Sequence, residues 1–105
     1  MAAKLAKIYK ATRGSRGRVI RGAEITEAEA VLERVAGRDI VVCGGKPRDN
    51  RSIAYRIENA IGPCERQDPH ESAGPYALPH YQPLHRPPDG HSFYETAGRK
   101  AAKNP

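Results

Sequence analysis

The chain has 105 residues and a formal net charge of +6. This length allows one small domain with a modest hydrophobic core, so a second domain is not expected. The positive charge favours nucleic acid or an acidic protein as partner. No apolar run approaches the roughly 20 residues that a membrane-spanning helix needs. Residues 1–11 also lack the apolar centre of a secretory signal, so we expect no membrane partner, and any export signal lies elsewhere.

The beginning of the chain is strongly basic. Every charged residue before Glu24 is a lysine or an arginine. Residues 4–10 could form a helical turn, while Gly14 and Gly17 make residues 13–22 a loop or an irregular strand. We predict a basic N-terminal arm over residues 1–22, a folded domain over 23–98 and a basic tail over 99–105. The arm either binds phosphates or only adds solubility.

A helix and a strand follow the predicted arm. Thr26 and Glu29 have the spacing of a capping box, apolar residues recur at helical spacing, and Gly37 supplies a stop. The pattern predicts a helix over residues 26–36. The β-branched run over residues 39–43 then predicts a buried strand.

A second helix is predicted to start with Asp49 or Asn50 as its N-terminal cap and to end at Gly62-Pro63. The turn Gly44-Gly45-Lys46 precedes it, and a helix N-terminus favours anions. The turn lacks the Walker pattern, so it is either an ordinary connection or a phosphate contact. We count Lys46 among the candidate RNA-binding residues.

The remainder of the chain contains three stretches that can be extended, over residues 64–68, 78–86 and 91–96. The last two are predicted to form an antiparallel hairpin. Pro79 and Pro83 predict that the first strand of this hairpin lies at an edge or is bulged, because proline cannot donate to a central ladder. The expected fold is α+β, with two helices packed on a small antiparallel sheet and a basic N-terminal arm.

All four histidines lie in the proline-rich C-terminal stretch. RNA cleavage without a metal needs a base, an acid and cations around the phosphorus, and imidazoles suit the first two roles. Arginine and lysine suit the third. His80 and His91 would lie on neighbouring strands of the hairpin and are the candidate acid–base pair. The candidate supporting residues are Arg86 near the turn, Ser92 and Tyr94.

Alternation along the last strand places Ser92 and Tyr94 opposite Phe93, which we expect in the core. The same alternation places His91 on the Phe93 side. A bulge or a strand start at Gly90 would remove this conflict.

A zinc site built from the histidines and Cys64 is a competing interpretation, but the spacings match no recognised ligand pattern. We therefore expect no metal and no cofactor. Cys43 and Cys64 either form one disulfide or are two small, partly buried residues.

The runs over residues 74–82 and 90–95, with the basic lead-in and the order of two helices before a small sheet, resemble C-terminal toxin domains of bacterial polymorphic toxins. These domains end contact-dependent inhibition or Rhs-type proteins. The resemblance is to their ribonucleases of the barnase, EndoU, colicin and RelE group and covers residues 26–95. It implies metal-independent cleavage of RNA, often tRNA, by a monomeric domain that is secreted in a larger effector. The domain would act in the cytoplasm of the target cell and be neutralised by a cognate immunity protein.

By position, the resemblance assigns the acid–base roles to His80 and His91, and phosphate stabilisation to Arg86 or Tyr94. The chain departs from barnase in having no clear glutamate base, for which Glu65 and Glu95 are the available substitutes. Residues assigned to RNA binding are Lys46, Arg66, Tyr81 and Ser92.

Two other functions stay open. One is a non-catalytic RNA-binding module in which Tyr76, Tyr81 and Tyr94 stack on bases while the basic arm holds phosphates. The other is a toxin with ADP-ribosyltransferase chemistry. Deamination is disfavoured because the His-x-Glu and Cys-x-x-Cys motifs are missing.

Overall fold

The computed structural model describes residues 5–69 and 73–103. Two α-helices and one seven-stranded sheet make up the α+β fold of this part of the chain. The elements are β1 (Lys7–Arg13), β2 (Val19–Ile25), α1 (Glu27–Val35), β3 (Ile40–Cys43), α2 (Pro47–Ile61), β4 (Cys64–Gln67), β5 (His80–Pro83), β6 (Ser92–Tyr94) and β7 (Ala102–Lys103). The sheet order is β4-β5-β6-β3-β1-β2-β7.

The predicted α+β class is confirmed, but the sheet is larger than predicted and it is mixed. β4, β5 and β6 form an antiparallel meander, and β2, β1 and β3 form a second antiparallel unit. The two units meet where β3 pairs parallel with β6. A parallel pair needs a long crossover, which here contains α2.

The predicted basic arm is not confirmed, because most of it belongs to the sheet. β1 and β2 pair as a hairpin, and β1 also pairs with β3. Val19 is fully buried, while the cations of the hairpin are exposed except for the half-buried Arg21. The predicted tail contains β7, which pairs with β2 and buries Ala102. Short apolar stretches between the basic residues are therefore enough to place this segment in the sheet.

The first predicted helix is confirmed together with its capping box. The Glu29 amide donates to Thr26 Oγ1 over 3.1 Å, and the Thr26 amide donates to Glu29 Oε1 over 2.9 Å. The predicted start of α2 is wrong, since this helix begins at Pro47. Proline is favoured at the first helical position because its missing donor would have no partner there. The predicted end of α2 at Gly62 is confirmed.

Both helices pack on one face of the sheet. Their core contains Ala30 of α1, Ala54 and Ile57 of α2, and Tyr94 of β6. The other face has a second core, which includes Leu78 from the segment before β5. The sheet is therefore covered on both faces.

The predicted edge position of the proline-containing strand is wrong, because β5 lies between β4 and β6. Within β5, only His80 and Tyr81 pair with β6, so Pro83 lies beyond that ladder. The Pro79 carbonyl accepts from the Tyr94 amide over 3.2 Å. Neither proline therefore occupies a position at which its backbone nitrogen would have to donate a hydrogen bond to β6. Within the described residues, neither helix has the length and apolar character to cross a lipid bilayer.

Candidate active site

The structure brings His80 and His91 into direct contact. β5 and β6 pair so that His80 lies opposite Phe93, and His91 immediately precedes β6. The two imidazole centroids are 4.4 Å apart, with the ring planes at 75°. The Phe93 ring is 5.1 Å from His80 and 5.3 Å from His91. The predicted clustering of these two histidines is confirmed, and they share the Phe93 face of the sheet.

A cavity of about 550 Å³ lies over this pair. Its apolar wall includes Leu78 and Phe93, and three charged side chains, those of Arg13, Arg16 and Asp68, also line it. Arg16 belongs to a single 3-10 turn between β1 and β2 and has a positive φ of 60°. The turn therefore brings cations of the basic hairpin to the histidines.

His80 is held by a chain of polar side chains. Its Nε2 lies 3.1 Å from Gln82 Oε1, and Gln82 Nε2 donates to Glu65 Oε1 over 3.1 Å. Which of the two His80 nitrogens carries the proton depends on the tautomer of the ring. Nδ1 is buried and has no hydrogen-bond partner within the described residues.

The His80 ring is biased towards its neutral form. Burial lowers the pKa of His80 first, and the neighbouring His91 lowers it further, against a smaller opposing effect of the Gln82 hydrogen bond. Two cationic imidazoles at this separation would repel each other. The pair is therefore suited to hold one proton, which is what an acid–base pair requires.

His91 is positioned by Asp39, the residue before β3. Asp39 Oδ1 accepts from the His91 amide over 2.8 Å and lies 3.4 Å from the His91 Nδ1. Asp39 Oδ2 lies 3.0 Å from Arg13 Nε. Burial alone would raise the pKa of Asp39, but the contacts with His91 and Arg13 outweigh it and lower that pKa. An ionised Asp39 therefore holds the His91 backbone amide and lies beside its ring.

A buried polar network fixes the chain on both sides of His91. Arg34 donates to the Asp89 carbonyl over 2.8 Å and forms an ion pair with Glu58. Glu58 in turn accepts from Ser92 Oγ over 2.7 Å. Ser92 is fully buried, so its role in the structure is to hold β6 against α2.

The other predicted residues form a second group on the helix face. Tyr94 and Tyr81 have buried rings in the core beneath the helices. Arg66 Nε donates to the Tyr94 hydroxyl over 2.6 Å. Alternation along β6 places Tyr94 opposite Phe93 as predicted, and Phe93 is in a core as expected. The opposite face is covered as well, so Tyr94 is also buried. Buried rings cannot stack on bases, so Tyr81 and Tyr94 can offer only their hydroxyl edges.

Arg86 and Lys46 are not beside the histidines. Arg86 is exposed and does not line the cavity. Lys46 is exposed at the start of α2. The glycine amides before it are engaged within the protein, since Gly44 donates to Glu95 Oε1 and Gly45 donates to Asn50 Oδ1, each over 3.0 Å. The turn therefore has no free glycine amides to cradle a phosphate.

The two substitutes for a glutamate base differ in placement. Glu95 is buried and accepts from the amides of Gly44 and Ala101, so both of its carboxylate oxygens are already bonded to backbone amides. Glu65 is exposed and reaches His80 only through Gln82. Neither carboxylate lines the histidine cavity.

Sequence reasoning missed Asp39, Arg13 and Gln82 as site residues. Asp39 was interpreted only as the start of a buried strand. The pairing of Ile40 with Ser92 places Asp39 next to His91. A sequence offers no direct signal for a pairing between strands separated by some fifty residues. Gln82, in contrast, is recognisable from the sequence, because residues two apart on a strand share one face and Gln82 is two residues after His80.

No group of three or more His, Cys, Asp or Glu side chains in residues 5–69 and 73–103 could hold a metal ion. Cys43 and Cys64 are both free thiols, of which Cys43 is buried. Burial is the main cause that raises the pKa of Cys43 to about 12. His85 is exposed, and His70 lies outside the described residues.

Comparison of the chain with models of protein families, with curated proteins and with solved structures finds no match.

Proposed function

We propose that the protein is a metal-independent endoribonuclease whose acid–base pair is His80 and His91. The observation that carries the proposal is the contact of the two imidazoles, 4.4 Å apart, in a cavity lined by Arg13 and Arg16. The buried Nδ1 of His80 has no hydrogen-bond partner within the described residues, and such groups are costly in a folded protein and call for an explanation such as a functional role. RNA would supply both the hydroxyl and the phosphate oxygens that such a site needs.

In the proposed reaction, neutral His80 takes the proton of a ribose 2′-hydroxyl, and the oxygen attacks the adjacent phosphorus. His91, charged beside Asp39, gives its proton to the departing 5′-oxygen. The bond from phosphorus to that oxygen breaks, leaving a 2′,3′-cyclic phosphate and a 5′-hydroxyl. Arg13 and Arg16 stabilise the negative charge on the phosphorane oxygens, the role first assigned to Arg86.

The resemblance to polymorphic toxins supports a biological setting for this reaction. In this setting the domain is the C-terminal part of a secreted effector, cuts tRNA or other RNA in the target cell, and is neutralised by an immunity protein. Expression inside bacteria would then arrest growth, and His80→Ala would relieve the arrest. An upstream reading frame rich in repeats, with a small partner frame downstream, would support the same setting.

The activity is tested with total bacterial RNA in EDTA, using the purified protein, His80→Ala and His91→Ala. The exposed His85 provides the matched control, His85→Ala. We expect discrete fragments that end in 2′,3′-cyclic phosphate, a loss of about 10²- to 10⁴-fold in either active-site variant and none in the control. RNA that stays intact, or cleavage that survives both active-site substitutions, would contradict the proposal.

A non-catalytic RNA-binding module is the second candidate, and one observation favours it. The guanidinium of Arg18 lies 5.1 Å from the centre of the Tyr76 ring, and that of Arg21 lies 5.0 Å from the Tyr9 ring. Cation–aromatic pairs on a basic hairpin are suited to bind bases and phosphates. RNA that is bound with steep salt dependence but not cut would favour this function.

A further inference from the structure

A second cationic cleft lies on the helix face of the sheet. Its volume is about 290 Å³. The residues that line it are Pro47, Arg48, Arg51, Arg66, Tyr94 and Thr96. Three guanidinium groups thus share one small concavity, and none of them lines the histidine cavity on the opposite face.

The cleft has more hydrogen-bond donors than acceptors. Arg51 Nε donates to the Tyr81 hydroxyl over 3.0 Å, and Arg66 Nε donates to the Tyr94 hydroxyl over 2.6 Å. Each hydroxyl accepts in these bonds, so its own proton is available for another acceptor. Within the described residues, neither hydroxyl donates to any group.

The charge of the cleft is also incompletely balanced. Asp68 lies 2.6 Å from Arg66 Nη2. In residues 5–69 and 73–103, neither Arg48 nor Arg51 forms an ion pair with a carboxylate. Several clustered donors on guanidinium groups match the oxygens of a phosphate, which can accept from two nitrogens of one arginine.

The strand β4 connects this cleft with the histidine cavity. Arg66 of β4 lines the cleft, and its ion-pair partner Asp68 lines the histidine cavity. The two sites therefore meet at the same end of the outermost strand of the meander. A polyanion that passes this edge can contact both sites at once, which a single free phosphate cannot do.

We propose that the cleft formed by Arg48, Arg51, Arg66 and the hydroxyl of Tyr94 binds a backbone phosphate of the RNA whose scissile bond lies at His80 and His91. This inference rests on the proposed ribonuclease function and extends it. The substrate is then an RNA strand that reaches around the sheet edge, and not a dinucleotide confined to the histidine cavity.

The test measures RNA binding separately from cleavage. In a His80→Ala/His91→Ala protein, the affinity for a fluorescent single-stranded oligoribonucleotide is measured by anisotropy over a range of salt concentrations. Arg48→Gln/Arg51→Gln is added to this protein. The matched control is Arg38→Gln/Arg56→Gln, which removes the same charge from two exposed arginines elsewhere. Thermal melting confirms that each variant is folded.

We expect the cleft variant to bind about tenfold more weakly than the control. Its slope of log affinity against log salt should fall by about 0.7 for one lost phosphate contact. Equal affinity and equal slope in the cleft variant and the control would overturn the inference. An RNA that binds through the cleft but is never cut by the wild-type protein would refute the ribonuclease and leave the phosphate site standing.

A second titration identifies the source of the phosphate. Inorganic phosphate is added to the isotope-labelled wild-type protein, and the amide signals of Arg48, Arg51 and Thr96 are followed by NMR. Shifts at these signals, together with weaker RNA binding by the cleft variant, support an RNA phosphate. Shifts without any change in RNA binding would overturn the RNA assignment in favour of a free anion.

Discussion

Arg34 and Glu58 form a fully buried ion pair that ties α1 to α2. Arg34 Nε lies 2.8 Å from Glu58 Oε1, and Arg34 Nη2 donates to Oε2 over 3.1 Å. The same two side chains bond to the Asp89 carbonyl and to Ser92 Oγ. These contacts lie on either side of His91. The ion pair therefore links the packing of the helices to the placement of one histidine.

Removing one charge of this pair should destabilise the protein strongly. In Glu58→Gln, the buried Arg34 keeps its charge and loses its counter-charge, so we expect the free energy of unfolding to fall by about 3–5 kcal/mol. Urea denaturation measures the change. Glu27→Gln is the control, because Glu27 pairs with Arg56 at the surface and such pairs contribute under about 1 kcal/mol. Equal effects of the two substitutions would contradict a special role for the buried pair.

Gly90 should not tolerate a side chain. Its φ is +94°, and a Cβ atom at this position would lie 2.5 Å from Arg34 Nη1 and 2.9 Å from the Gly37 carbonyl oxygen. We expect Gly90→Ala to lower the melting temperature. Backbone strain alone should reduce the free energy of unfolding by about 1–3 kcal/mol. Gly98→Ala is the matched control, since no atom lies within 4 Å of its added Cβ. A melting temperature of Gly90→Ala equal to that of the control would contradict the argument.

Local signals in the sequence predicted the elements better than their arrangement. The capping box of Thr26 and Glu29 predicted α1, and Gly62 predicted the end of α2, because these signals act over a few residues. The parallel pairing of β3 with β6 was not predicted. It depends on a contact between segments far apart in the chain, which no local pattern encodes. The pairing of β1 with β3 was missed for the same reason.

The candidate site was predicted in part. The hairpin prediction was sufficient to bring His80 and His91 together, because β5 and β6 pair directly. Arg86 was chosen for its nearness to the turn, but the cations at the cavity are Arg13 and Arg16 of the first hairpin. That hairpin lies near the histidines because β3 pairs with β6 on one side and with β1 on the other. Cationic groups supplied by a distant strand were beyond the reach of sequence reasoning.

The stability of the protein should decrease as the pH falls through the range in which His80 titrates. The pKa of His80 in the folded protein is below its ordinary value of 6.5, so the unfolded chain binds this proton more readily. The contribution of neutral His80 is then complete above about pH 6.5 and is lost at lower pH. We expect His80→Gln to lose less free energy of unfolding than the wild type between pH 7 and pH 5, as measured by urea denaturation at each pH.

One further variant makes this pH dependence specific to His80. Asp39 also has a lowered pKa, but its contribution is lost only towards pH 3.8 and below, outside the measured range. His85→Gln is the control, because His85 is exposed. We expect this control to follow the wild-type curve. A His80→Gln curve parallel to that of the wild type would contradict the argument that burial and His91 disfavour protonation of His80.

Asp39 should act on the proposed reaction as a positioning residue. Asp39→Asn removes the negative charge beside His91, while the amide oxygen can still accept from the His91 backbone. A charge-assisted contact contributes about 1.5–3 kcal/mol, so we expect kcat for RNA cleavage to fall by about 10- to 100-fold. KM should change little, since Asp39 does not line the histidine cavity. Asp89→Asn, at an exposed residue two positions before His91, is the control and should retain wild-type kcat. If Asp39→Asn instead raises KM and leaves kcat unchanged, Asp39 acts on RNA binding and not on the protonation of His91.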